Sequence, residues 1–359
     1  MPEAIDPNRS GSSAGSGTIN ILMTGGGAPG AAGILKCLGK EKSFHVVAAD
    51  ANEKAVGHYL ADDFVRIPRA DDPAFIDTVH RLCREKNIRV VLPLVTKELL
   101  IFAQHAPEFE KAGTRILVSS AASLEIANNK SRLYEFLQWR GIPVPDFRVV
   151  ETTEQFRSAI EELGFPENEI CFKPSVSNGS RGFRILSGQV DEADLLFNYK
   201  PNSTYIRPAD AIRILSSAPF PELLVSEYLP GPEYSVDCLC DRGEAVLIVP
   251  RLRRKMINGI SVEGEFVQEE SIMDYCRQVI KELQLSGNIG IQVKGSGAGD
   301  FLILEINPRV QGTISSALGA GVNLPVLAVK QALGLPITSE ETAIKWGVQF
   351  SRYWEEVFY

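Results

Sequence analysis

The chain has 359 residues, of which 44% are hydrophobic and 23% are charged, and its formal net charge is −8. This length suggests two to three domains, and the composition is ordinary for a globular enzyme. The negative charge argues against nucleic acid or an anionic membrane as a partner, and no apolar run approaches the roughly 18 residues that a membrane span requires.

The first 119 residues divide into a short tail and a region of alternating strands and helices. Residues 1–17 are rich in Ser and Gly and lack the apolar core of a signal peptide, so we expect a disordered tail. From residue 18 to 119 short apolar strands alternate with amphipathic helices. This pattern predicts a parallel sheet covered on both faces. The predicted strands are Ile19–Met23, Val46–Asp50, Val90–Pro93 and Arg115–Val118.

A glycine-rich loop follows the first of these strands. Gly25, Gly27 and Gly30 match the spacing GxGxxG, and Asp50 lies about 20 residues further on. This is the fingerprint of a dinucleotide site in the right strand–turn–helix setting. It therefore supports one candidate function, an NAD(P)-binding oxidoreductase.

After residue 119 the pattern changes to hairpins and longer polar loops. A helix is predicted at 128–141, an irregular mobile insertion at 198–220, and a strand at 245–250 that ends before the basic run RLRRK. Lys173 ends the strand Glu169–Pro174 and is followed by the loop SVSNGSRG. Such a loop can offer backbone N–H groups and the cations Lys173 and Arg181 to a polyphosphate. The alternative is a plain hairpin turn with a solvated arginine.

A hairpin near residue 298 gathers oxygen donors. If its turn is centred there, Gln292 pairs with Glu305, and period-2 alternation places Ile303, Glu305 and Asn307 on one face. Carbonyl and carboxylate oxygens suit a hard cation such as Mg²⁺. Arg309, two residues on, suits a phosphate bridged by that cation. The competing interpretation is an ordinary polar hairpin face.

Histidine and cysteine usage restricts the chemistry further. All four histidines precede residue 110, so any chemistry in the last two-thirds of the chain proceeds without histidine. The six cysteines form no CxxC pair, which favours reduced thiols and a cytoplasmic location.

In their order along the chain, these motifs resemble those of ATP-grasp enzymes, and most closely the synthetase halves of the carbamoyl phosphate synthetase large subunit. The FKP strand, the Gly/Ser/Arg loop, EYLPGPEYSVD and EINPR all have counterparts there. The resemblance implies an α/β fold with α+β lobes, in which a Rossmann-like pre-ATP-grasp domain at 18–119 precedes a two-lobed ATP-grasp domain at 120–359. Its first lobe would cover about 120–226 and its second about 227–359.

The resemblance also implies roles for matching positions. Lys173, Arg181 and Arg309 would act in catalysis, and Gln292, Glu305 and Asn307 would hold Mg²⁺, with two ions expected and Mn²⁺ able to substitute. Asn129–Lys130 stands where the family often has Asp–Lys. The ATP-binding residues would be Lys130, Lys173, Ser180, Arg181, Gly182, Ser226, Glu227, Tyr228, Leu229 and Glu233. The acceptor would meet Arg251, Arg253, Gly312 and Thr313, where either arginine can hold a carboxylate.

The leading expectation is a free-standing ATP- and Mg²⁺-dependent ligase that joins a carboxylate to an amine through an acyl phosphate and releases ADP and phosphate. Its partners would be a small acid and a small amine, without nucleic acid or membrane, and a homodimer is compatible with the sequence. The first alternative is a synthetase that forms carbamoyl or carboxy phosphate. The others are the oxidoreductase and a nucleotide-binding regulatory protein without turnover.

Overall fold

Apolar runs and amphipathic helices alternate through the first hundred residues of the computed structural model, which describes residues 17–177, 179, 181–189, 191, 194, 197, 204–257 and 259–359. The elements are β1 (Ile19–Thr24), α1 (Ala31–Leu38), β2 (Phe44–Asp50), α2 (Gly57–Leu60), β3 (Asp63–Arg66), α3 (Phe75–Glu85), β4 (Ile88–Pro93), α4 (Thr96–Lys111) and β5 (Arg115–Ile116). The strands pair in parallel in the order β3-β2-β1-β4-β5. The central strands are apolar on both faces, since helices cover both sides.

The second sheet is mainly antiparallel and has the order β6-β10-β7-β8-β9. Its segment contains α5 (Ala121–Ala127), α6 (Lys130–Trp139), β6 (Phe147–Val150), α7 (Thr153–Glu162), β7 (Ile170–Pro174), β8 (Arg184–Leu186), β9 (Tyr205–Ile206), α8 (Pro208–Leu215) and β10 (Leu223–Glu227). Thr152 and Gln155 form a capping box that fixes the start of α7. The core of this layer packs α7 and α8 on one face of the sheet.

The third sheet has six strands in the order β15-β14-β11-β12-β13-β16. Its elements are β11 (Glu233–Asp241), β12 (Glu244–Ile257), β13 (Ile260–Phe266), α9 (Glu270–Leu283), β14 (Gly287–Gly295), β15 (Phe301–Asn307), a 3-10 helix (Ile314–Leu318), α10 (Leu324–Ala332) and β16 (Gln349–Ser351). The predicted α/β fold class, with a parallel N-terminal sheet followed by antiparallel lobes, is confirmed. The limits at 17, 119 and 226 stay predictions.

Three predicted elements differ from the structure. Residues 208–215 of the predicted irregular insertion form α8, because Pro208 starts a helix that buries Ala211, whereas 198–203 lie outside the described residues. The strand predicted at 245–250 does not end before RLRRK, because β12 continues through this run and pairs there with β13. The predicted helix at 128–141 begins only at Lys130, because Asn129 caps it and accepts from the N–H of Arg132.

Gly30, the last glycine of the GxGxxG loop, and the nearby Gly33 lie where the first layer packs closely against the third, whereas Gly25 and Gly27 pack against Val95 and Ala55 of the first layer. A Cβ on Gly30 would clash with the backbone of Gly312, and one on Gly33 would clash with Ser315. Asp50, the candidate ribose acid, accepts instead from the backbone N–H groups of Gly27 and Asn52 at 2.8 and 2.9 Å. The motif is therefore explained without a dinucleotide.

We expect Gly30→Ala to lower the melting temperature, because a methyl group there must push apart two backbones. Overpacking of this kind costs about 1–3 kcal/mol. Gly188→Ala is the matched control, since no atom lies within 4 Å of its added Cβ. Equal melting temperatures of the two variants in calorimetry would contradict the close approach of Gly30 and Gly312.

Candidate active site between the second and third sheets

A cavity of about 950 Å³ lies between the second and third sheets, and Pro29 of the glycine-rich loop reaches its rim. Most predicted site residues line this one cavity. They are Lys130, Lys173, Arg181, Ser226, Glu227, Tyr228, Leu229, Glu233, Arg253, Gln292, Glu305, Asn307, Arg309, Gly312 and Thr313. Gly182 and Arg251 are not among the lining residues, and Ser180 lies outside the described residues.

Two buried lysines point into the cavity from the second layer. Lys173 donates to the carbonyl of Leu304 at 2.9 Å, and its ammonium lies 5.7 Å from the centre of the Tyr134 ring. Burial lowers the pKa of Lys173, although the charge of Glu305 opposes this effect. Lys130 donates to the carbonyl of Ser177 at 2.8 Å and lies 3.4 Å from Glu305. The two cations thus face the oxygen donors of the third sheet.

The predicted pairing of Gln292 with Glu305 is confirmed, but the strand contains a bulge that the prediction lacked. The register passes from Gln292 opposite Glu305 to Val293 opposite Ile303, which leaves Leu304 unpaired. Ile303 therefore lies in the core and not on the site face, whereas Leu304 lines the cavity. The bulge also aims the Leu304 carbonyl at Lys173.

The oxygen donors of Gln292, Glu305 and Asn307 stand together across β14 and β15. Asn307 donates to Glu305 at 3.4 Å, and Gly290, a neighbour of Gln292, pairs with Asn307. One carboxylate and two amides suit a hard divalent cation. The described residues contain no group of three His, Cys, Asp or Glu side chains that could hold a metal. Carboxylate and amide oxygens fit Mg²⁺ better than a transition metal.

Two arginines on the cavity wall have fixed partners. Arg253 forms an ion pair with Glu233, donates to Ser261 at 2.9 Å, and lies 3.5 Å from the amide oxygen of Gln292. Arg309 donates to Thr96 at the start of α4 at 3.1 Å. Burial lowers the pKa of both guanidinium groups, and the charges of Glu233 and Glu305 respectively oppose that shift. The first layer thus helps to position Arg309.

Arg251 lies beneath the cavity, in contrast to its predicted place beside the acceptor. Its side chain is fully buried, pairs with Asp237 at 3.1 Å, and donates to the hydroxyl of Thr313 at 2.7 Å. The Arg251 side chain is fully buried and does not line the cavity, whereas that of Arg253 is 4% exposed and does. Arg251 therefore holds Thr313 and does not itself line the cavity.

Other lining residues gave no signal in the sequence. The ammonium of Lys294 stacks 3.9 Å from the centre of the Tyr228 ring, and Arg352 enters the cavity from beyond β16. Lys294 is two residues after Gln292, so period-2 alternation could have placed it on the site face. No local sequence pattern predicts the position of Arg352. It depends on the pairing of β16 with β13, which lies about ninety residues earlier in the chain.

A second carboxylate of note belongs to the first layer. Glu98 is buried and accepts from the hydroxyl of Thr24 at 2.5 Å. Burial raises the pKa of Glu98 to about 7, and the nearby charge of Asp50 adds to this effect. This carboxyl lines a smaller cavity beside Gly25 and Asp50, outside the main one.

Comparison with known families identifies both parts of the chain. Residues 21–117 match the model described as PylC-like, N-terminal domain. Residues 219–354 match the model described as ATP-grasp in the biosynthetic pathway with Ter operon. The resemblance to the ATP-grasp superfamily is confirmed, and the chain carries an ATP-grasp domain behind a PylC-like N-terminal domain.

Similar proteins and structures agree with this assignment. The chain is 30% identical over 240 residues to the carbamoyl phosphate synthase large chain of Archaeoglobus fulgidus, a match that covers 64% of this chain and 20% of that protein. An N5-carboxyaminoimidazole ribonucleotide synthetase bound to ADP aligns over 92% of this chain and 80% of its own, with a TM-score of 0.67 and 18% identity. An L-amino acid ligase from Bacillus licheniformis aligns over 91% and 77%, with a TM-score of 0.62 and 17% identity.

The curated relatives are much longer than this chain, which spans about a fifth to a quarter of their length. In the described part of the chain, no helix combines the length and apolar character needed to cross a membrane. The six cysteines are free and buried.

Proposed function

We propose that this chain is an ATP- and Mg²⁺-dependent ligase that joins a carboxylate to an amine. The observation that carries the proposal is the single cavity in which Lys130, Lys173 and Arg309 face the oxygen set of Gln292, Glu305 and Asn307. Cations opposite a hard-cation site suit a nucleotide polyphosphate. Ser226–Leu229 would bind the adenine edge. Glu233, which also pairs with Arg253, would accept hydrogen bonds from the ribose hydroxyls.

The chemistry requires cations because two anions must meet. A carboxylate that attacks the terminal phosphate of ATP meets a repulsion of about 4 kcal/mol for one charge pair at 4 Å and an effective dielectric constant of 20. Lys173 and Arg309 would offset that charge from fixed positions, which needs no reorganisation during the reaction. The bond between the terminal phosphorus and its bridging oxygen breaks as the carboxylate oxygen bonds to phosphorus, which gives ADP and an acyl phosphate. The amine then displaces phosphate.

Gln292, Glu305 and Asn307 would hold the metal, and bound Mg²⁺ would neutralise phosphate charge. We propose two ions, as the resemblance implies, with Mn²⁺ able to substitute. Arg181 and the loop that contains Ser180 and Gly182 would cover the phosphates, and Arg253, Gly312 and Thr313 would contact the acceptor. Arg251 would act through Thr313.

The remaining assignments rest on the same resemblance. We propose a partition into a tail at 1–17, an N-terminal domain at 18–119, and ATP-grasp lobes at 120–226 and 227–359. The free thiols and the absence of a candidate membrane helix in the described residues support a cytoplasmic location. A homodimer without nucleic acid or membrane partners is part of the proposal.

A carbamoyl or carboxy phosphate synthetase is the second candidate, favoured by the match to the carbamoyl phosphate synthase large chain. It would phosphorylate bicarbonate to give carboxy phosphate, or carbamate to give carbamoyl phosphate. The oxidoreductase is disfavoured by the geometry, because Asp50 and the glycines already have structural partners.

The test compares nucleotides by calorimetric titration of the full chain. We expect MgATP to bind and NADPH to show no heat above dilution, because Lys130, Lys173 and Arg309 line the main cavity, whereas Asp50 and Gly30 of the glycine motif already have structural partners. Turnover with a panel of acids should release ADP and phosphate, and hydroxylamine should trap the acyl phosphate as a hydroxamate. NADPH binding without ATP binding would overturn the proposal, and AMP as product would exclude the acyl phosphate.

A further inference from the structure

A C-terminal arginine is delivered to the cavity by an anchored strand. Phe350 of β16 lies over Gly264, where a Cβ would approach the Phe350 ring to 2.7 Å. The same ring packs 5.8 Å from Phe266 and 5.6 Å from the Arg251 guanidinium. Two residues later, the backbone N–H of Arg352 donates to the carbonyl of Val262 at 2.8 Å. This docking brings the Arg352 side chain to the cavity wall.

Within the part of the chain that the structure describes, Arg352 has no side-chain partner, unlike Lys130, Arg253 and Arg309. Lys130, Arg253 and Arg309 each bind an acidic or hydroxyl side chain. The Arg352 side chain makes no hydrogen bond or ion pair with any residue in the described part of the chain. Burial lowers the pKa of Arg352, and the charge of Arg251 lowers it further. Both effects disfavour an isolated cation, so an anionic ligand there would be stabilised.

An apolar surface stands beside this cation. Met256 at the end of β12 and Ile260 at the start of β13 are 45% and 37% exposed, and both line the cavity. They belong to one hairpin, in which Met256 pairs with Ser261 and Ile257 pairs with Ile260. Val262, the backbone partner of Arg352, is two residues from Ile260. The unpaired charge and the apolar surface therefore occupy the same end of the cavity.

We propose that this end of the cavity binds a carboxylate with a short, branched apolar body. The carboxylate would bind Arg352, and the apolar part would cover Met256 and Ile260. Burying such a body would stabilise the complex through the apolar area removed from water. A phosphate group is a poorer occupant of this end of the cavity. The cations Lys130, Lys173 and Arg309 lie beside the oxygen donors of β14 and β15, whereas β15 and β16 are at opposite edges of the third sheet. The hairpin beside Arg352 offers apolar surface instead. The inference rests on the proposed function, because this molecule would be one of the two substrates of the ligase.

Two sources share this chemistry, namely an apolar amino acid that provides the amine and a simple branched acid that provides the carboxylate. Saturation-transfer NMR on the full chain without nucleotide separates them. The probes are L-leucine, 4-methylpentanoate, 3-methylbutylamine and acetate. We expect saturation of at least one of the first two, and none for 3-methylbutylamine or acetate. A stronger L-leucine signal would identify an amino acid, and a stronger 4-methylpentanoate signal would identify a simple acid.

Variants test the two contacts separately. Arg352→Leu should weaken the preferred probe by about tenfold or more, because a charge-assisted hydrogen bond is lost. Arg242→Leu is the matched control, since this arginine is 85% exposed and lies in the turn after β11. Met256→Ser should weaken the preferred branched probe by several-fold, because its apolar contact is lost.

Unchanged binding in Arg352→Leu, saturation of 3-methylbutylamine equal to that of the preferred carboxylate, or no saturation by either L-leucine or 4-methylpentanoate would each overturn the inference. Circular dichroism melting of each variant checks that the protein is folded. Because no nucleotide is present, these results are independent of the proposed ATP chemistry. MgATP binding with a failed probe series would reject the substrate class alone, whereas probe binding without MgATP binding would reject the ligase alone.

Discussion

Replacing Glu305 with Gln should lower the rate of ADP release by about two to three orders of magnitude, the range expected when metal stabilisation of a transferring phosphate is lost. Glu305 provides the only full negative charge among Gln292, Glu305 and Asn307, so it should dominate metal retention. The substitution keeps the shape of the side chain and its contact with Asn307. ATP affinity should fall less, because Lys173 and the 226–229 segment remain. Steady-state rates over a Mg²⁺ titration provide the measurement.

Glu282→Gln is the matched control for this substitution. The Glu282 side chain is 27% exposed and pairs with Arg140, whereas that of Glu305 is 26% exposed and pairs with Lys130. The two changes thus remove one charge from similarly exposed carboxylates, but Glu282, on α9, does not line the cavity. We expect normal turnover from Glu282→Gln. An undiminished rate in Glu305→Gln, or an equal loss in both variants, would refute the metal assignment.

The sequence was sufficient for features that depend on local pattern. The register of Gln292 with Glu305 follows from the position of the turn, and the parallel first sheet follows from alternating apolar strands and helices. The bulge at Leu304 was not predictable from the sequence. An extra unpaired residue leaves no mark in the residue pattern of its own strand and appears only in the pairing with the neighbouring strand. That single residue exchanges Ile303 for Leu304 on the cavity wall.

Burial of charged residues also required the tertiary structure. Once β12 is known to continue through RLRRK, alternation places Arg251 and Arg253 on one face, but it cannot tell that Asp237 and Thr313 enclose the first of them. The glycine motif shows the same limit from the other side. Its spacing fits a dinucleotide loop, yet position 30 has room only for glycine because the Gly312 backbone lies against it. Neither neighbour is visible locally in the sequence.

The ion pair under the cavity leads to a large expected effect on stability. Arg251 and Asp237 are both fully buried, and the side-chain atoms Arg251 Nε, Arg251 Nη1 and Asp237 Oδ1 find no hydrogen-bond partner within the described residues. Arg251→Met would leave the Asp237 carboxylate buried without its cation. Removing one partner of a buried pair costs about 3–5 kcal/mol of unfolding free energy. We therefore expect a fall of several degrees in melting temperature, measured by calorimetry.

The double variant Arg251→Met/Asp237→Leu separates the value of the pair from the cost of an unpaired charge. Replacing both partners with apolar groups of similar volume is often neutral or stabilising, because neither charge must then be desolvated. The double variant should thus recover most of the stability that the single variant loses. Arg254→Met is the control, since the Arg254 side chain is 50% exposed and its pair with Glu265 should contribute at most about 1 kcal/mol. If the double variant melts no higher than Arg251→Met, the loss comes from the hydrogen bond to Thr313 or from packing against Phe350, and not from the charge left on Asp237.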